Sequence, residues 1–443
     1  MRLPNLTLVG LLFAFSGQTC PFQASVSPGV SLLGAIVVQS VAVVVAGSSA
    51  SDQPDRRMRL SSIRAKTEEG DEYFSSDGLG EYATEVDIDL TLDDMHLHAW
   101  DASDILDKHD KVVNKRLHSR NVDSWHPTIG FVAPWNKEQG YNTAKNFRGK
   151  FTHLAPVWYS IHPDLNDVRK YKLFGHDEVD QDWLKEVREP VAQDNDAQPF
   201  VPKIVPRFMM EGFTNKDASL LATTLDHNQA IAKLIVDECQ KYKYDGFVLD
   251  FIYVGFTDQF VRIVSYHAKS AGLEVYVNIP SEKPGVDVKL FDHDRFDLYK
   301  KWVDGFTLVT YDFSNPINPG PNSPVEWIKD NVLRLCPEVE HRRKLLVALN
   351  MYGVDYADGG ASSVTSETYL DLLAERKDVL RGEWKSKFAE HMITYKDEEG
   401  SEHEVWYPTV DSVKTRLQLI WELGVGVTVW EIGQGLDYFY ELL

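Results

Sequence analysis

From residue 128 onward, short apolar runs rich in Val, Ile, Leu and aromatic residues recur, separated by helix-like or polar stretches. They read TIGFVAPWN (128–136), FTHLAPVWYSI (151–161), KIVPRFMMEG (203–212), YDGFVLDFI (244–252), LEVYVNIP (273–280), DGFTLVTYDF (304–313), KLLVALNMYG (344–353) and GVGVTVWEIG (424–433). Between them lie amphipathic segments such as HNQAIAKLIVDECQKYK (227–243), where Ile231, Leu234, Ile235 and Cys239 recur at helical spacing. Eight strand-like runs alternating with helices predict a closed parallel (β/α)8 barrel of the TIM type over residues 126–443. A doubly wound open sheet is the alternative, but it usually carries a Gly-rich phosphate turn after its first strand, and none is present.

The runs share an ending. Each starts apolar and finishes in polar or aromatic residues: Trp135 and Asn136, Trp158, Glu211, Asp250, Asn278, Tyr311 and Asp312, Asn350 and Tyr352, Trp430 and Glu431. In a barrel these ends converge on the C-terminal mouth, where binding and catalytic groups sit. One or two aromatics there would be the top layer of the core, whereas the whole set describes a pocket. Flat faces from Trp135, Trp158, Tyr311, Tyr352 and Trp430 suit the C–H faces of pyranose rings, and the carboxylates and amides suit their hydroxyls. A phosphate or nucleotide site would instead want backbone nests with Lys or Arg. No GxSxG elbow, HExxH helix, Walker loop or family-spaced Cys/His pair supplies another chemistry.

Residues upstream of the barrel are of a different kind. Residues 51–125 are polar and charged, without sustained helix or strand period, and read as a partly disordered stem with one or two docked segments. His96 and His98 have the alternation of a metal pair on a strand, but solvated surface is the ordinary meaning of such spacing. Residues 1–50 form a leader. A basic residue and an apolar core at 1–17 precede a second apolar run at 29–47, followed by Ser48, Ser49 and Ala50. This reads as a cleaved signal peptide, with a retained signal anchor as the alternative; both send the barrel along the secretory pathway.

Charge and cysteine usage narrow the partners. With 46 Lys and Arg against 67 Asp and Glu, the formal net charge is −21, which argues against nucleic acid and, unless the leader is retained, against a membrane. Cys20, Cys239 and Cys336 have no metal-ligand spacing, so no metal or cofactor is expected, and the latter two read as buried apolar residues.

Asp245, Gly246, Phe247 and Asp250 resemble the fourth-strand motif DGxDxDxE of glycoside hydrolase family 18, the chitinases. LVTYDF, with Tyr311 and Asp312, is similar to that family's sixth-strand M-x-Y-D, and Trp430 matches its eighth-strand tryptophan, the floor of the sugar pocket. Within the family the stretches FVAPWNKEQGYNTAKNF, IVPRFMMEGF, PGPNSPVEW and LNMYGVDYA resemble secreted or lysosomal chitinase-like lectins. Strand alternation puts Gly246, Val248, Asp250 and Ile252 on the interior side, and the family's Asp, Asp and Glu read here as Val248, Asp250 and Ile252. The resemblance makes the missing glutamate the general acid, a role Ile252 cannot fill, and makes the residual aspartate the group that holds the N-acetyl substituent.

No residue is therefore assigned a catalytic role. The expected function is an inactive chitinase-like lectin whose mouth binds an oligosaccharide, most directly one containing N-acetylglucosamine. The resemblance also implies lipopolysaccharide and a cell-surface receptor as partners. Asp250 is expected to have Tyr311 or Asp312 as its partner. Two alternatives stand beside this reading: a glycosidase whose acid is Glu211 or Glu431, and a protein-binding scaffold whose mouth is idle or plugged by residues 281–300.

Overall fold

The computed structural model describes residues 100–112, 126–164, 167, 170–191, 199–286 and 289–443. The leader, most of the stem, His96, His98 and Cys20 lie outside the described residues.

The eight apolar runs form one parallel ring. It comprises β1 (Thr128–Val132), β2 (His153–Pro156), β3 (Tyr159–Pro163), β5 (Lys203–Ile204), β6 (Arg207–Met210), β7 (Gly246–Asp250), β8 (Glu274–Pro280), β9 (Gly305–Val309), β10 (Leu345–Asn350) and β16 (Gly426–Trp430). A short β4 (Tyr171–Phe174) folds back antiparallel on β3. Two of the runs are interrupted: Val157 and Trp158 separate β2 from β3, and Val205 and Pro206 separate β5 from β6, because proline has no N–H to give the ladder. The lower halves pair as β2 with β5 and the upper halves as β3 with β6, while β16 pairs with β1, so the ring is continuous.

Period-two alternation sorts the core into two layers. Ile129, Phe131, Ala155, Val205, Val248, Tyr276 and Leu346 fill the barrel interior, whereas Phe247 and Leu249, flanking Val248, face the helices. The longest helix, Leu225–Tyr242, buries Ile231, Ile235 and Cys239, half-buries Leu234, and ends on Lys243 in a left-handed conformation (φ 54°) whose N–H returns to Cys239 and Gln240. Cys239 and Cys336 are buried and free. Each such fully buried aliphatic or aromatic side chain contributes roughly 1.5–3 kcal/mol.

The N-terminal end of the barrel is closed by charge. His153 begins β2, Lys203 begins β5 and Glu274 begins β8; His153 Nε2 lies 2.8 Å from Glu274, and Lys203 bonds the same carboxylate. Burial alone would raise the Glu274 carboxyl, but His153 and Lys203 overcome it and hold it at about 2. These charges belong to the end of the barrel that supports stability rather than chemistry.

The chain leaves the barrel after β10 to build a five-stranded antiparallel sheet in which the first inserted strand lies second in order, between the second and the fifth. Its strands are β11 (Gly353–Ala357), β12 (Gly360–Val364), β13 (Arg381–Lys385), β14 (Glu390–Lys396) and β15 (Glu402–Trp406), with α1 (Ser366–Arg376) between β12 and β13. α2 (Val410–Leu423) then returns to the barrel ahead of β16. Within the stretch read as a stem, Ala102–Lys108 forms a helix capped by Asp101, with Ala102 and Ile105 buried. Trp100 beside it donates from Nε1 to Tyr369 of α1 at 3.1 Å, which ties this segment to the inserted sheet.

Candidate functional site

A cavity of about 550 Å³ opens at the C-terminal ends of β6, β7, β8, β9 and β16. One side is polar, with Arg207, Asp250, Asn278, Tyr311 and Asp312 around Trp430. The other is apolar, with Met210, Ile252, Ile279, Val286, Leu290 and Val309. Ser281, Glu282, Lys283, Val286, Leu290 and Phe291 of the 281–300 stretch wall this cavity, and none of the described residues of that stretch plugs it.

Trp430 is the hub. Its ring lies 6.4 Å from Tyr311 at an interplanar angle of 21°, 5.3 Å from Phe131, and 6.4 Å from Trp135, which is 40% exposed at the rim. Asp250 closes β7, and its Oδ2 lies 2.8 Å from Nε of Arg207. The expected partners, Tyr311 and Asp312, are therefore corrected to Arg207. The reason is register: β6 pairs with β7 so that Arg207 stands opposite Val248, one interior position below Asp250.

Asp312 sits in a left-handed backbone conformation (φ 58°), which costs a non-glycine residue roughly 1 kcal/mol or more. The loop around it supports that geometry. Its N–H donates to Asn322 Oδ1 at 2.6 Å, and its carbonyl accepts from Lys283 Nζ. Desolvation raises the Asp312 carboxyl above the usual range, although the Tyr352 hydroxyl donates to it and Lys283 lies nearby. Tyr352 thus stands behind Asp312, and Asn350 behind that, its Nδ2 donating to the Tyr352 carbonyl at 2.8 Å. Asn322 is anchored in turn by buried Glu390, which accepts from the Asn322 and Ser323 N–H groups at 3.0 and 2.8 Å.

Of the expected mouth residues, Trp135 stays at the rim and Asn350 and Tyr352 in the layer behind Asp312, none of them lining the cavity, and two more, Trp158 and Glu431, lie elsewhere. Trp158 is 5% exposed and belongs to the outer layer, where Nε1 donates to Tyr141 at 2.7 Å and the ring meets Trp183 edge-on at 5.8 Å. Alternation explains this: Ala155 and Val157 pack with the interior cluster, so Trp158 points outward. Glu431 is likewise one residue out of phase with Trp430. It is 0% exposed, accepts from the Ala133 N–H at 3.0 Å and from Asn136 Nδ2 at 3.5 Å, and does not line the cavity. Glu211 does line it, with Oε2 3.2 Å from His162 Nε2.

Burial pushes the Glu431 carboxyl up to about 8, with its two donors opposing. Between roughly pH 4.5 and 8 the folded state then keeps a proton the unfolded chain has released, so this group's contribution to stability falls as pH rises. Glu431→Gln is expected to lose that dependence, its Tm gaining on the parent from pH 5 to pH 8. A Tm difference constant across that range in thermal melts would mean the carboxyl is ionised throughout.

Arg207 is the site residue that the motifs did not reveal. The available signal was a lone arginine on the interior face of an otherwise apolar strand, since unpaired charges are almost never buried there.

A closed (β/α)8 barrel whose mouth gathers tryptophan, tyrosine and aspartate is the architecture of a saccharide-binding or glycoside-cleaving protein. The sequence profile of glycosyl hydrolases family 18 matches residues 127–435, and the chain belongs to that family. It is 25% identical over 222 residues to the cortical fragment-lytic enzyme of Bacillus anthracis, a match covering 47% of this chain and 51% of the relative. The chain thus spans about half the length of that relative. Among solved structures, a chitinase from Chromobacterium violaceum superposes with a TM-score of 0.58 at 18% identity, covering 71% of this chain and 98% of that one. A Cycas revoluta chitinase in complex with (GlcNAc)3 superposes with a TM-score of 0.54 at 13% identity, covering 71% of this chain and 97% of that one. At such identities the structural likeness establishes the fold alone.

Proposed function

We propose that this protein is a carbohydrate-binding member of its family that does not hydrolyse its ligand, a chitinase-like lectin holding an oligosaccharide that contains N-acetylglucosamine. The observation that carries this is Ile252. It lines the cavity at the position where the family pattern has its acid, and Val248 fills a second carboxylate position with a fully buried apolar side chain. What remains is the binding half: Trp430 and Tyr311 as apolar faces, Asp250, Asp312 and Asn278 as polar groups. A ligand containing GlcNAc is supported by the Cycas relative, which holds (GlcNAc)3. The quoted stretches also resemble chitinase domain-containing protein 1, a secreted or lysosomal lectin. Secretory or lysosomal location, lipopolysaccharide binding and a cell-surface receptor follow as proposals from that resemblance and from the leader.

Calorimetric titration with chitotetraose tests the reading. Saturating heat is the expected result, and Trp430→Ala is expected to weaken binding roughly tenfold or more, about 1.4 kcal/mol. Unchanged affinity in that variant would remove the sugar from the barrel floor. Sustained heat after each injection would mean turnover and would favour a second reading, a glycosidase using Glu211, whose carboxyl meets both the cavity and His162. Glu211→Gln would then abolish the sustained heat.

A further inference from the structure

The sugar contacts proposed for the mouth leave one charged group unused. Arg207 is 9% exposed, yet it lines the cavity beside Trp430 and Asp250. A guanidinium has five N–H donors in a planar fork and no acceptor. Among the described residues, this one finds a single charge partner and a single hydrogen-bond acceptor. Nε stands 2.8 Å from Asp250 but is not aligned for a hydrogen bond, and Nη2 donates to the Met209 sulfur at 2.7 Å. Sulfur is a weak acceptor. The guanidinium carbon lies 5.3 Å from the centre of the Trp430 ring, so the cation is seated on the sugar platform itself.

Nε is the one Arg207 nitrogen buried without a hydrogen bond, whereas Nη1 opens onto the cavity, where a ligand can supply the acceptor. The cavity's own carboxylates are already engaged. Glu282 pairs with Arg334 at 3.1 Å, Glu211 faces His162, and Asp312 is held by Tyr352. Asp250 uses one edge of Arg207, and Nη1 has no partner among the described residues. Lys283 adds a second cation to the same cavity wall. The cavity lining carries Glu211, Asp250, Glu282 and Asp312 against Arg207 and Lys283, and the chain as a whole −21, so it is direct contact with Arg207, and not the net field, that would hold an anion here. Surface charges more than about 8 Å away are largely screened at physiological salt, whereas a partner in direct contact with a desolvated guanidinium is not.

From this geometry we infer that the floor of the mouth selects an acidic saccharide, with a sugar-borne carboxylate bound by the free edge of Arg207 above Trp430. The inference rests on the oligosaccharide reading and names the ligand class for that same cavity. A planar carboxylate matches the fork in a bidentate manner, a match that a lysine or a neutral hydroxyl cannot reproduce.

The test compares ligands that differ in the carboxylate alone. The full-length protein is titrated at 0.15 M salt with a tetrasaccharide alternating N-acetylglucosamine and glucuronic acid, with its carboxyl-reduced counterpart, and with chitotetraose. The acidic form is expected to bind about tenfold or more tightly than the reduced form. Arg207→Met is expected to erase that difference, and Arg207→Lys to leave a smaller one, because it keeps the charge and loses the fork. Equal affinity of the parent for the acidic and reduced forms overturns the inference, and this comparison needs no variant to fold. A preference that persists in Arg207→Met overturns the role of Arg207. If chitotetraose binds but acidity has no effect, the lectin reading stands without this extension; if none of the three binds, both fall.

Discussion

Replacing Arg416 with alanine is expected to destabilise the protein by about 3–5 kcal/mol, the range for breaking a buried ion pair from one side. Arg416 projects from α2 into a site where it is 4% exposed, and its Nη2 meets Glu390 Oε1 at 2.9 Å. The same guanidinium donates from Nη1 to the Ala389 and Ser412 carbonyls, each at 2.8 Å, and from Nε to the Ser323 carbonyl at 3.1 Å. Truncation would strand those acceptors together with Glu390. Burial already raises the Glu390 carboxyl above its usual range against the pull of Arg416, so without the arginine it would take up a proton or let water in.

The consequence reaches the mouth through three links. Glu390 anchors the backbone of Asn322 and Ser323, the Asn322 side chain accepts from the Asp312 N–H, and Asp312 lines the cavity in its left-handed conformation. Saccharide affinity is therefore expected to fall along with stability, even though Arg416 does not line the cavity. Denaturant unfolding of Arg416→Ala and Arg416→Met measures the first effect, and calorimetry on whichever variant folds measures the second. A loss below about 1 kcal/mol in both variants would mean that the pair is solvated and not buried. A large loss of stability with saccharide affinity intact would uncouple Asp312 from the clamp.

Such a clamp is not legible along the chain. Arg416 and Glu390 are 26 residues apart, and Arg416 and Ser323 are 93 apart; no local pattern announces either contact. The barrel was legible because each of its strands carries a dense apolar run with a polar or aromatic end. The inserted sheet was not, since β12 (GASSV) is mostly exposed and β13 (RGEWK) is charged, leaving neither strand a dense apolar run. The misplacement of Trp158 and Glu431 has a simpler cause: being near the end of a strand does not decide which face a side chain takes. Counting in twos from Ala155 puts Trp158 outside, and counting in twos from Val248 puts Asp250 inside, as observed. For Arg207 the residue was visible, but its partner was set by register between two strands, which the sequence does not state.

Restoring carboxylates at positions 248 and 252 together is expected to raise hydrolysis above the parent's level, the general acid contributing on the order of 10²–10⁴ in rate once the carboxylate at 248 is also in place. Position 252 is the simpler half. Ile252 is partly exposed and lines the cavity, so a glutamate there keeps contact with water and with a bound sugar. Position 248 is harder, because Val248 is completely buried in the barrel interior. Its neighbour across the ladder decides the outcome: Arg207 stands opposite Val248, and neighbouring strands run about 4.8 Å apart, so the new carboxylate has one cation within reach in an otherwise apolar surround. By sharing Arg207 it would also loosen the pairing that holds Asp250, freeing that carboxylate to orient an N-acetyl group. Ile252→Glu alone is thus expected to release little product, and Val248→Asp with Ile252→Glu substantially more, read as reducing ends liberated from chitotetraose after thermal melts confirm that both variants are folded. Turnover in the parent equal to that of the double variant would sink the assignment of Ile252 as a missing acid and move the chemistry to Glu211. A folded double variant that binds chitotetraose without cleaving it would instead place the remaining obstacle at Arg207, whose hold on Asp250 would then outlast the new charge.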